Sequence, residues 1–331
     1  MKLLAKDYKR IVIKIGSSLL YSQKSTLDCG LVNGITGQIS DLIKNGKVLL
    51  LNYAPGHYCC IDTSETINNL SSGLNKIVPY NLRMKKYIMA IDQGTTGSTV
   101  VIIDHGGSLV SKTTTEYPQI YPRPGWVEHN PEEIWKSVET SALESLKKAQ
   151  ISKTDIVAVG ITNQRETVVP FRKSTGEVLH NAIVWQCRRT TEMCSVLKKK
   201  WQTKIKNKTG LVLDPYFSAT KMRWLVENSQ SVKKAYKEND LAFGNIDTFL
   251  MWRLSGKKIF STDVSNASRT MLMNLKTLSW DDELLKLFKV TKNSLPEIRA
   301  SSGVFGSTTR LSFLNEGTPI SGVAGDQQAA L

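Results

Sequence analysis

Residues 84–104, MKKYIMAIDQGTTGSTVVIID, decide the fold of this chain. An apolar run from Tyr87 to Ile91 leads into a turn rich in glycine and threonine, and a second apolar run, Val100 to Ile103, follows at once. This pattern predicts a β-hairpin. Its tip carries the Asp92 carboxylate, two threonine hydroxyls and free backbone N–H groups, which can hold phosphate oxygens and a divalent cation. The same residue types also suit an ordinary tight hairpin.

The rest of the body predicts an α/β unit that continues this hairpin. Two hairpins give three strands, at 87–91, 99–104 and 108–116, and a helix follows that is N-capped by Asn130. A strand from Ile156 to Thr162 comes next. Within the helix, apolar residues recur every four positions and predict one buried face: Ile134, Val138, Ala142 and Leu146. A three-stranded meander, a helix and a returning strand are the order of the ribonuclease-H-like half of the actin and sugar-kinase fold.

Composition narrows the class of protein. The 331 residues are enough for two domains, and 40% hydrophobic with 22% charged residues is typical of a globular protein. The net charge of +15 is spread along the chain, with one dense lysine cluster in a helix-like stretch. We interpret that stretch as a solvated helix face rather than a nucleic-acid site. The clustered lysines are Lys198, Lys199, Lys200, Lys204, Lys206 and Lys208.

Cysteine usage and hydropathy predict a cytoplasmic protein. The five cysteines, at positions 29, 59, 60, 187 and 194, form no CxxC pair, so reduced thiols are expected. No apolar run approaches the length of a membrane span. The N-terminal MKLLAKDYKR has charges where a signal peptide needs an apolar core.

A second apparent beginning at Met84 predicts a domain boundary near 76–86, between domains 1–83 and 84–331. The first segment reads as one βαβ unit: a strand from Ile11 to Ile15, a helix from Leu31 to Ile43 and a strand from Val48 to Leu51. Beyond it, NYAPGHYCC shows no periodicity, so we expect irregular structure there.

The 84–331 segment resembles the glycerol kinases of the FGGY carbohydrate kinase family along its whole length. Seven collinear motifs carry the resemblance: DQGTTGST (92–99), QIYPRPGWVEHNPEEIW (119–135), GITNQRET (160–167), NAIVWQCRRT (181–190), GLVLDPYFSATKMRWL (210–225), NASRTML (266–272) and PISGVAGDQQAAL (319–331). The resemblance implies the first lobe of an actin-like, ribonuclease-H-like ATPase fold. It also implies transfer of the γ-phosphoryl group of ATP to glycerol, with Mg²⁺ as cofactor and ATP and glycerol as ligands.

The resemblance also implies roles for individual residues. Asp326 is the catalytic base that takes the proton of the attacking hydroxyl, and Gln327 contacts glycerol as well. The other polyol-binding residues are Arg165, Glu166, Trp185 and Tyr216. The phosphate-binding residues are Asp92, Gly94, Thr95, Thr96, Gly97 and Ser98, with Asp92 as the Mg²⁺ anchor.

Residue chemistry agrees with those roles and leaves simpler alternatives. Arg165 and Glu166 follow a strand, so they lie at its carboxyl-terminal mouth, where fixed donors and acceptors suit a polyol. Trp185 can form an apolar wall for C–H groups, and Tyr216 offers a hydroxyl. The alternatives are a surface ion pair for Arg165 and Glu166, a core position for Trp185, and a helix N-cap for Asp326.

Residues 1–83 resemble an N-terminal fragment of the glutamate 5-kinases of the amino-acid kinase family. The match is Lys14, Gly16, Ser17 and Ser18, which in that family contact ATP phosphates, plus the spacing to the GKVLLL strand. Where that family has a Ser-Gly-Ala turn, this chain has residues 53–56, YAPG. One βαβ unit buries little apolar surface, so we expect a remnant or a loosely ordered appendage.

Two departures and one omission qualify the resemblance to FGGY kinases. Many relatives have arginine where Thr99 stands, and the stretch before Pro319 lacks a glycine-rich basic loop, so fructose-bisphosphate inhibition is not expected. The chain stops five residues after Asp326, before the second lobe of the family and its adenosine pocket. We therefore expect a mobile Asp326 and an isolated chain that is inactive or very weak.

The alternatives are a non-catalytic fusion of two incomplete kinases and a related kinase for another polyol or sugar. A homo-oligomer is expected only with the second lobe present.

Overall fold

Two units make up the chain, Met1–Lys85 and Lys86–Leu331. The computed structural model describes residues 10–14, 48–54, 57–60 and 86–330.

The first unit contains a three-stranded sheet. Strand β1 (Arg10–Lys14) pairs in parallel with β2 (Val48–Ala54), and β2 pairs antiparallel with β3 (His57–Cys60). The two predicted strands are confirmed. The irregular structure expected for NYAPGHYCC is wrong at residues 52–54 and 57–60, because β2 continues to Ala54 and β3 spans His57–Cys60. A Pro-Gly dipeptide at 55–56 separates the two, and such a dipeptide is a turn signal. The predicted helix 31–43 and Gly16, Ser17 and Ser18 lie outside the described residues.

The second unit is a mixed α/β structure. Its strands are, in chain order, β4 (Tyr87–Gln93), β5 (Gly97–Asp104), β6 (Leu109–Glu116), β7 (Glu128–His129), β8 (Ile156–Asn163), β9 (Val169–Arg172), β10 (Ala182–Ile183), β11 (Leu241–Gly244), β12 (Ser261–Asp263), β13 (Met273–Asn274), β14 (Ser279–Trp280), β15 (Glu297–Arg299), β16 (Ser302–Ser307) and β17 (Pro319–Gly325). Its α-helices are α1 (Pro131–Ala149), α2 (Thr191–Thr209), α3 (Ser218–Asn228), α4 (Gln230–Lys237), α5 (Ile246–Leu254), α6 (Val264–Ala267), α7 (Asp282–Leu287) and α8 (Asp326–Ala329).

The central sheet has the strand order β16-β17-β8-β4-β5-β6. Strands β4, β5 and β6 form the predicted antiparallel meander, whereas β8 and β17 run parallel to β4. The three predicted strands of the meander and the returning strand are therefore confirmed. Because β4, β8 and β17 are parallel, their carboxyl ends meet at one edge of the sheet.

Helix α1 covers one face of this sheet. The Asn130 side chain accepts a hydrogen bond from the Glu132 backbone N–H at 2.9 Å, as the predicted N-cap should. Gln150, in a left-handed conformation with φ of 54°, ends the helix. The four predicted apolar residues of α1 are buried. Three serines at four-residue spacing, Ser137, Ser141 and Ser145, are buried beside them, and their small size lets the helix approach β5 closely.

The sheet and the insertion between β8 and β17 bury two hydrophobic clusters. The first lies against the sheet and includes Met89, Ile91 and Phe249 of α5. The second gathers α3, α4 and α7 around Phe243 and Phe288. Across the described part of the chain, no helix combines the length and the apolar character that crossing a bilayer requires.

The lysine cluster lies on α2, which confirms the predicted helix. Ile205 is its buried anchor, and the lysines at 198–200 and 206 are exposed. Lys208 pairs with Asp281 at 2.6 Å, and Lys204 pairs with Glu283. These ion pairs attach the end of α2 to the start of α7.

Candidate functional site

Three chain segments converge where β4, β8 and β17 end. Asp92 is in register with Thr162 on β8, which in turn is in register with Ala324 on β17. The next row is Gln93, Asn163 and Gly325, after which each strand leaves the sheet. The predicted phosphate turn, the Arg165–Glu166 pair and Asp326 therefore emerge side by side at one edge, where ligands bind in open α/β sheets.

The turn between β4 and β5 is tight and presents unused donors. The Gly94 N–H donates to the Gly97 carbonyl at 2.9 Å. A Cβ on Gly97 would lie 2.8 Å from the Thr115 carbonyl oxygen of β6, so a larger residue would force this backbone apart. The Thr95 and Thr96 backbone N–H groups donate to no protein acceptor within residues 86–330. Such N–H groups can bind an anion.

The predicted metal anchor, Asp92, lies on β4 directly before this turn and is exposed to solvent. Partial desolvation of its carboxyl group and the nearby Asp326 carboxylate raise the pKa of Asp92, whereas Lys112 opposes the shift. Two like-charged carboxylates at one edge favour the arrival of a cation between or beside them. The arrangement thus fits a divalent ion bound with phosphates.

A buried polar network holds the turn from below. The Tyr117 hydroxyl donates to the Gly94 carbonyl at 2.6 Å and lies 2.9 Å from the Thr95 carbonyl. The Gln164 side-chain amide donates to the Gly94 carbonyl at 3.1 Å, and Gln119 donates to the Thr95 carbonyl at 3.1 Å. The carbonyls of the turn therefore face the protein interior, and the conformation of the turn is set before any ligand binds.

The network is neutral because burial removes its charges. His129 is fully buried, lies 2.6 Å from Gln119 through Nε2, and packs edge-on against Tyr117. Burial lowers the pKa of His129 to about 4 and raises the pKa of Tyr117 to about 12. Near neutral pH, His129 and Tyr117 are therefore uncharged, and neither attracts or repels a charged ligand at the turn.

The low pKa of His129 predicts an acid-sensitive fold. Unfolded histidine takes up a proton near pH 6.5 and folded His129 only near pH 4, so the unfolded state binds more protons between these values. Stability should therefore fall as the pH falls, by about 2 kcal/mol between pH 7 and pH 5 from this residue alone. Urea unfolding at both pH values should show a smaller loss for H129Q, which keeps a partner for Gln119. An equal loss in H129Q would contradict the assignment.

Arg165 and Glu166 form separate ion pairs across the site. Arg165 Nε donates to Asp326 at 3.0 Å, and Arg269 Nε donates to Glu166 at 2.6 Å. The alternative of a surface ion pair between Arg165 and Glu166 is therefore wrong. Glu166 is 2% exposed and has a positive φ of 63°, a conformation that costs energy in a non-glycine residue. Burial raises the pKa of Glu166, and Arg269 opposes that shift.

Trp185 and Tyr216 form the aromatic side of the site. Their ring centroids are 5.4 Å apart with the planes tilted by 59°. Neither is fully buried, so the core position considered for Trp185 is wrong. Trp185 Nε1 donates to the Thr95 hydroxyl at 3.0 Å, which joins the aromatic side to the phosphate turn. Burial, and then the Glu166 carboxylate, raise the pKa of Tyr216, so its hydroxyl keeps its proton.

Asp326 is the first residue of α8 and not its cap. The N-cap is Gly325, so the N-cap alternative for Asp326 is wrong. The Asp326 side chain is 41% exposed and accepts from Arg165, while the adjacent Gln327 is exposed. A Cβ on Gly325 would lie 2.3 Å from Arg165 Cδ, so the absence of a side chain lets Arg165 reach Asp326.

Ser98 lies apart from the other predicted site residues. Its side chain is fully buried, and its hydroxyl shares a 2.7 Å hydrogen bond with Ser137 of α1. The neighbouring Thr99 bonds to Thr114 of β6 instead of reaching the edge. The Ser98 hydroxyl therefore joins sheet and helix and is not available at the phosphate turn.

Sequence reasoning missed the residues that hold the site from α6. Ser265 accepts a hydrogen bond from the Gly325 N–H at 2.8 Å, and Asn266 exchanges amide hydrogen bonds with Asn163 at 2.9 and 3.1 Å. These contacts fix the ends of β17 and β8, and Arg269 follows directly. The motif NASRTML contains both Asn266 and Arg269, but spacing alone gives no signal for partners 103 residues away.

A buried lysine was also missed. Lys221 of α3 is fully buried, and its Nζ donates to the carbonyls of Phe217, at 3.1 Å, and Tyr216. Burial lowers the pKa of Lys221 to about 7, and the Glu166 carboxylate opposes the shift. The side chain fixes the backbone that presents Tyr216.

Comparisons with known proteins assign a family to residues 87–331. The N-terminal domain of the FGGY family of carbohydrate kinases matches residues 87–331. A glycerol kinase from Halothermothrix orenii is 53% identical over 247 residues, which are 74% of this chain and 50% of that protein. The chain spans about half the length of the curated relatives it matches.

Solved structures show the same fold. Plasmodium falciparum glycerol kinase, crystallised with ADP, matches with a TM-score of 0.70 and 35% identity, over 75% of this chain and 50% of that one. A ligand-bound xylulose kinase from Lactobacillus acidophilus matches with a TM-score of 0.64 and 28% identity, over 73% and 48%. The predicted actin-like, ribonuclease-H-like ATPase fold is confirmed for this part of the chain.

Proposed function

This chain belongs to the FGGY family of carbohydrate kinases, and we propose that its second unit is the glycerol- and phosphate-binding half of an ATP-dependent glycerol kinase. The observation that carries the proposal is the 3.0 Å contact between Arg165 and Asp326 at the sheet edge, beside the turn that offers free N–H groups. The residues proposed as polyol-binding arginine, carboxylate base and phosphate turn thus lie together. The full-length sequence relatives named glycerol kinase favour glycerol as the acceptor.

ATP phosphates would be held by the turn between β4 and β5. The Thr95 and Thr96 N–H groups and hydroxyls would bind phosphate oxygens, and Gly94 and Gly97 keep the backbone close enough for those contacts. Asp92 would hold Mg²⁺, directly or through water. When bound, Mg²⁺ would neutralise phosphate charge during transfer. The buried Ser98 hydroxyl is left out of this role.

Glycerol would lie between the aromatic side and the two ion pairs. Trp185 would cover its C–H groups, and Arg165 and Glu166 would donate to and accept from its hydroxyls. Tyr216 and Gln327 would add further polar contacts. Arg269 pairs with Glu166 and opposes the rise in its pKa that burial causes, so the Glu166 carboxylate can accept hydrogen bonds from polyol hydroxyls.

Asp326 would act as the general base. Its oxygen accepts from Arg165, so a hydroxyl bound by Arg165 would lie beside the carboxylate that takes its proton. Phosphoryl transfer depends mainly on positioning and charge neutralisation. The hydroxyl oxygen would attack the terminal phosphorus of ATP, and its proton would pass to Asp326, which gives ADP and glycerol 3-phosphate.

Calorimetry with glycerol tests the binding half of this proposal. Glycerol should give a measurable heat of binding to the chain. Propane-1,2-diol should give much less, because it lacks one hydroxyl and leaves a buried polar group of the site unpaired. E166Q should weaken glycerol binding about tenfold or more, because a charged hydrogen-bond acceptor is lost. E177Q, at an exposed glutamate that pairs with Arg172, is the matched control and should bind as the unmodified chain does. The absence of binding heat at glycerol concentrations up to about 1 M would contradict the proposal that this unit binds glycerol.

A coupled assay for ADP release, with glycerol and Mg-ATP, tests the catalytic half. Glycerol-dependent turnover by the chain that D326N abolishes supports a complete transferase. Glycerol binding without turnover supports the alternative of a non-catalytic chain that only binds the polyol.

A further inference from the structure

One hydrogen bond joins the two halves of the proposed site. Trp185 Nε1 donates to Thr95 Oγ1 at 3.0 Å, although the two residues are 90 positions apart in the chain. Trp185 belongs to the aromatic side with Tyr216, and Thr95 is at the tip of the turn between β4 and β5. The bond therefore connects the surface proposed for a polyol with the surface proposed for phosphates.

The chemistry of the two groups fixes the direction of this bond. An indole N–H is a donor only, whereas a threonine hydroxyl can both donate and accept. The Thr95 oxygen must therefore act as the acceptor, and its own proton must point elsewhere. Within residues 86–330, no acceptor takes that proton. The free proton is left for a ligand at the turn.

The backbone of Thr95 is already fixed by other contacts. Its carbonyl accepts from the Gln119 side chain at 3.1 Å and lies 2.9 Å from the Tyr117 hydroxyl. The Thr95 carbonyl thus points toward the buried network. Rotation of the hydroxyl is the freedom that remains to this residue, and the Trp185 N–H restricts it.

We propose that Trp185 is a positioning residue for the phosphate turn: its indole N–H orients the Thr95 hydroxyl so that the hydroxyl proton points to a bound phosphate oxygen. Because the same indole lies against Tyr216 on the polyol side, a polyol that fixes the ring also fixes this donor. Polyol and nucleotide then each raise the affinity for the other, by the same factor. The inference rests on the proposed function for the identity of the two ligands.

A double-mutant cycle tests the role of the bond. W185F keeps an aromatic ring but removes the N–H, and T95V keeps the shape of Thr95 but removes the hydroxyl. We expect W185F to weaken Mg-ATP binding about fivefold, the effect of one neutral hydrogen bond. The same substitution in T95V should change Mg-ATP affinity less than twofold, because no hydroxyl is left to orient. W201F, at a tryptophan on α2 outside the site, is the control and should match the unmodified chain.

Calorimetry in the presence of saturating glycerol tests the coupling. Glycerol should raise the affinity of the unmodified chain for Mg-ATP, and this gain should disappear in W185F. An equal weakening of Mg-ATP binding by W185F with and without the Thr95 hydroxyl would overturn the proposal. So would a glycerol effect that survives in W185F.

A spectroscopic readout needs no ligand. The indole ¹H–¹⁵N resonance of Trp185, identified by its loss in W185F, should move upfield in T95V when its acceptor is removed, and T95S should leave it in place. An unchanged resonance in T95V would show that the bond is absent and overturn the inference. A chain that binds neither glycerol nor Mg-ATP would instead defeat the proposed function, and the resonance would still decide whether the bond exists.

Discussion

Replacement of Arg269 by methionine is expected to lower the free energy of unfolding by about 3–5 kcal/mol, because it leaves the Glu166 carboxylate buried without its partner. Glu166 is 2% exposed, and Arg269 donates to it at 2.6 Å. The Arg269 guanidinium also lies 4.9 Å from the Phe217 ring centre, so the substitution removes a cation–π contact. Urea unfolding followed by circular dichroism at pH 7.5 measures the change.

The loss of stability in R269M should depend on pH. Burial raises the pKa of Glu166 even with Arg269 present, and removal of the arginine raises it further. A raised folded-state pKa means that folded Glu166 takes up a proton before the unfolded carboxyl does. The destabilisation should therefore be complete above the raised pKa and shrink as the pH falls through it. The urea unfolding curves of R269M and of the unmodified chain should lie closer together at pH 5 than at pH 7.5.

Replacing Glu166 by uncharged glutamine shows whether R269M is destabilised by the unpaired carboxylate or by lost packing. The double variant E166Q/R269M removes both charges of this pair, so it should recover most of the stability and lose the pH dependence that Glu166 causes. R269K keeps the charge but not the planar donor geometry, so its free energy of unfolding should lie between those of R269M and the double variant. A double variant as unstable as R269M at every pH would show that the loss comes from packing around Phe217 and not from Glu166.

The parts of the fold that the sequence predicted depend on neighbours along the chain. The meander of β4, β5 and β6 follows from alternating apolar residues and short turns, and α1 follows from the Asn130 cap and a four-residue apolar repeat. The placement of Arg165 and Glu166 at the carboxyl-terminal mouth of a strand also followed, because ligand sites of α/β sheets form there. Each of these rests on a local pattern or on a general rule of sheet geometry.

What could not be predicted depends on partners distant in sequence. Glu166 meets Arg269 and Asn163 meets Asn266, each pair separated by 103 residues across the insertion that contains α2 to α6. Hydrogen-bonded pairs of this kind produce no periodic pattern in the sequence, so the sequence does not predict them. The polar network around Tyr117 and Gln164 is of the same kind, with 47 positions between them.

The placement of Ser98 could have been predicted and was not. Side chains alternate along a strand, so Ser98 shares a face with Val100 and Ile102, both apolar. That face is covered by α1, and the Ser98 hydroxyl accordingly meets Ser137. The family motif drew Ser98 into the phosphate site, whereas the period of two predicts that it points away.

A second arginine should be as sensitive as Arg269, although it lies farther from the sheet edge. R189M is expected to lower the free energy of unfolding by about 3–5 kcal/mol, because the 7% exposed Glu128 side chain loses its ionic partner. The Arg189 side chain is completely buried, and Nη2 donates to Glu128 at 2.6 Å. Its guanidinium lies 4.0 Å from the ring centre of Trp126 and 4.7 Å from that of Trp224.

This arginine also holds the strand pair that supports both sides of the proposed site. Glu128 belongs to β7, which pairs with β10, and its second oxygen accepts from Asn181 at 2.9 Å. The residue after Glu128 is His129, under the phosphate turn, and β10 leads into Trp185. Loss of Arg189 should therefore loosen the aromatic side and the turn together, and weaken glycerol and Mg-ATP binding in parallel.

Matched variants decide whether burial is the reason for this sensitivity. R223M removes another arginine–glutamate contact, of 3.0 Å to Glu227, but both side chains are partly exposed, so it should cost less than about 1 kcal/mol. E128Q/R189M should recover part of the stability, because no buried charge remains. Recovery should be incomplete, since the contacts of the guanidinium with the Trp126 and Trp224 rings are still lost. Equal losses in R189M and R223M would mean that the desolvated charge on Glu128 is not what makes Arg189 necessary.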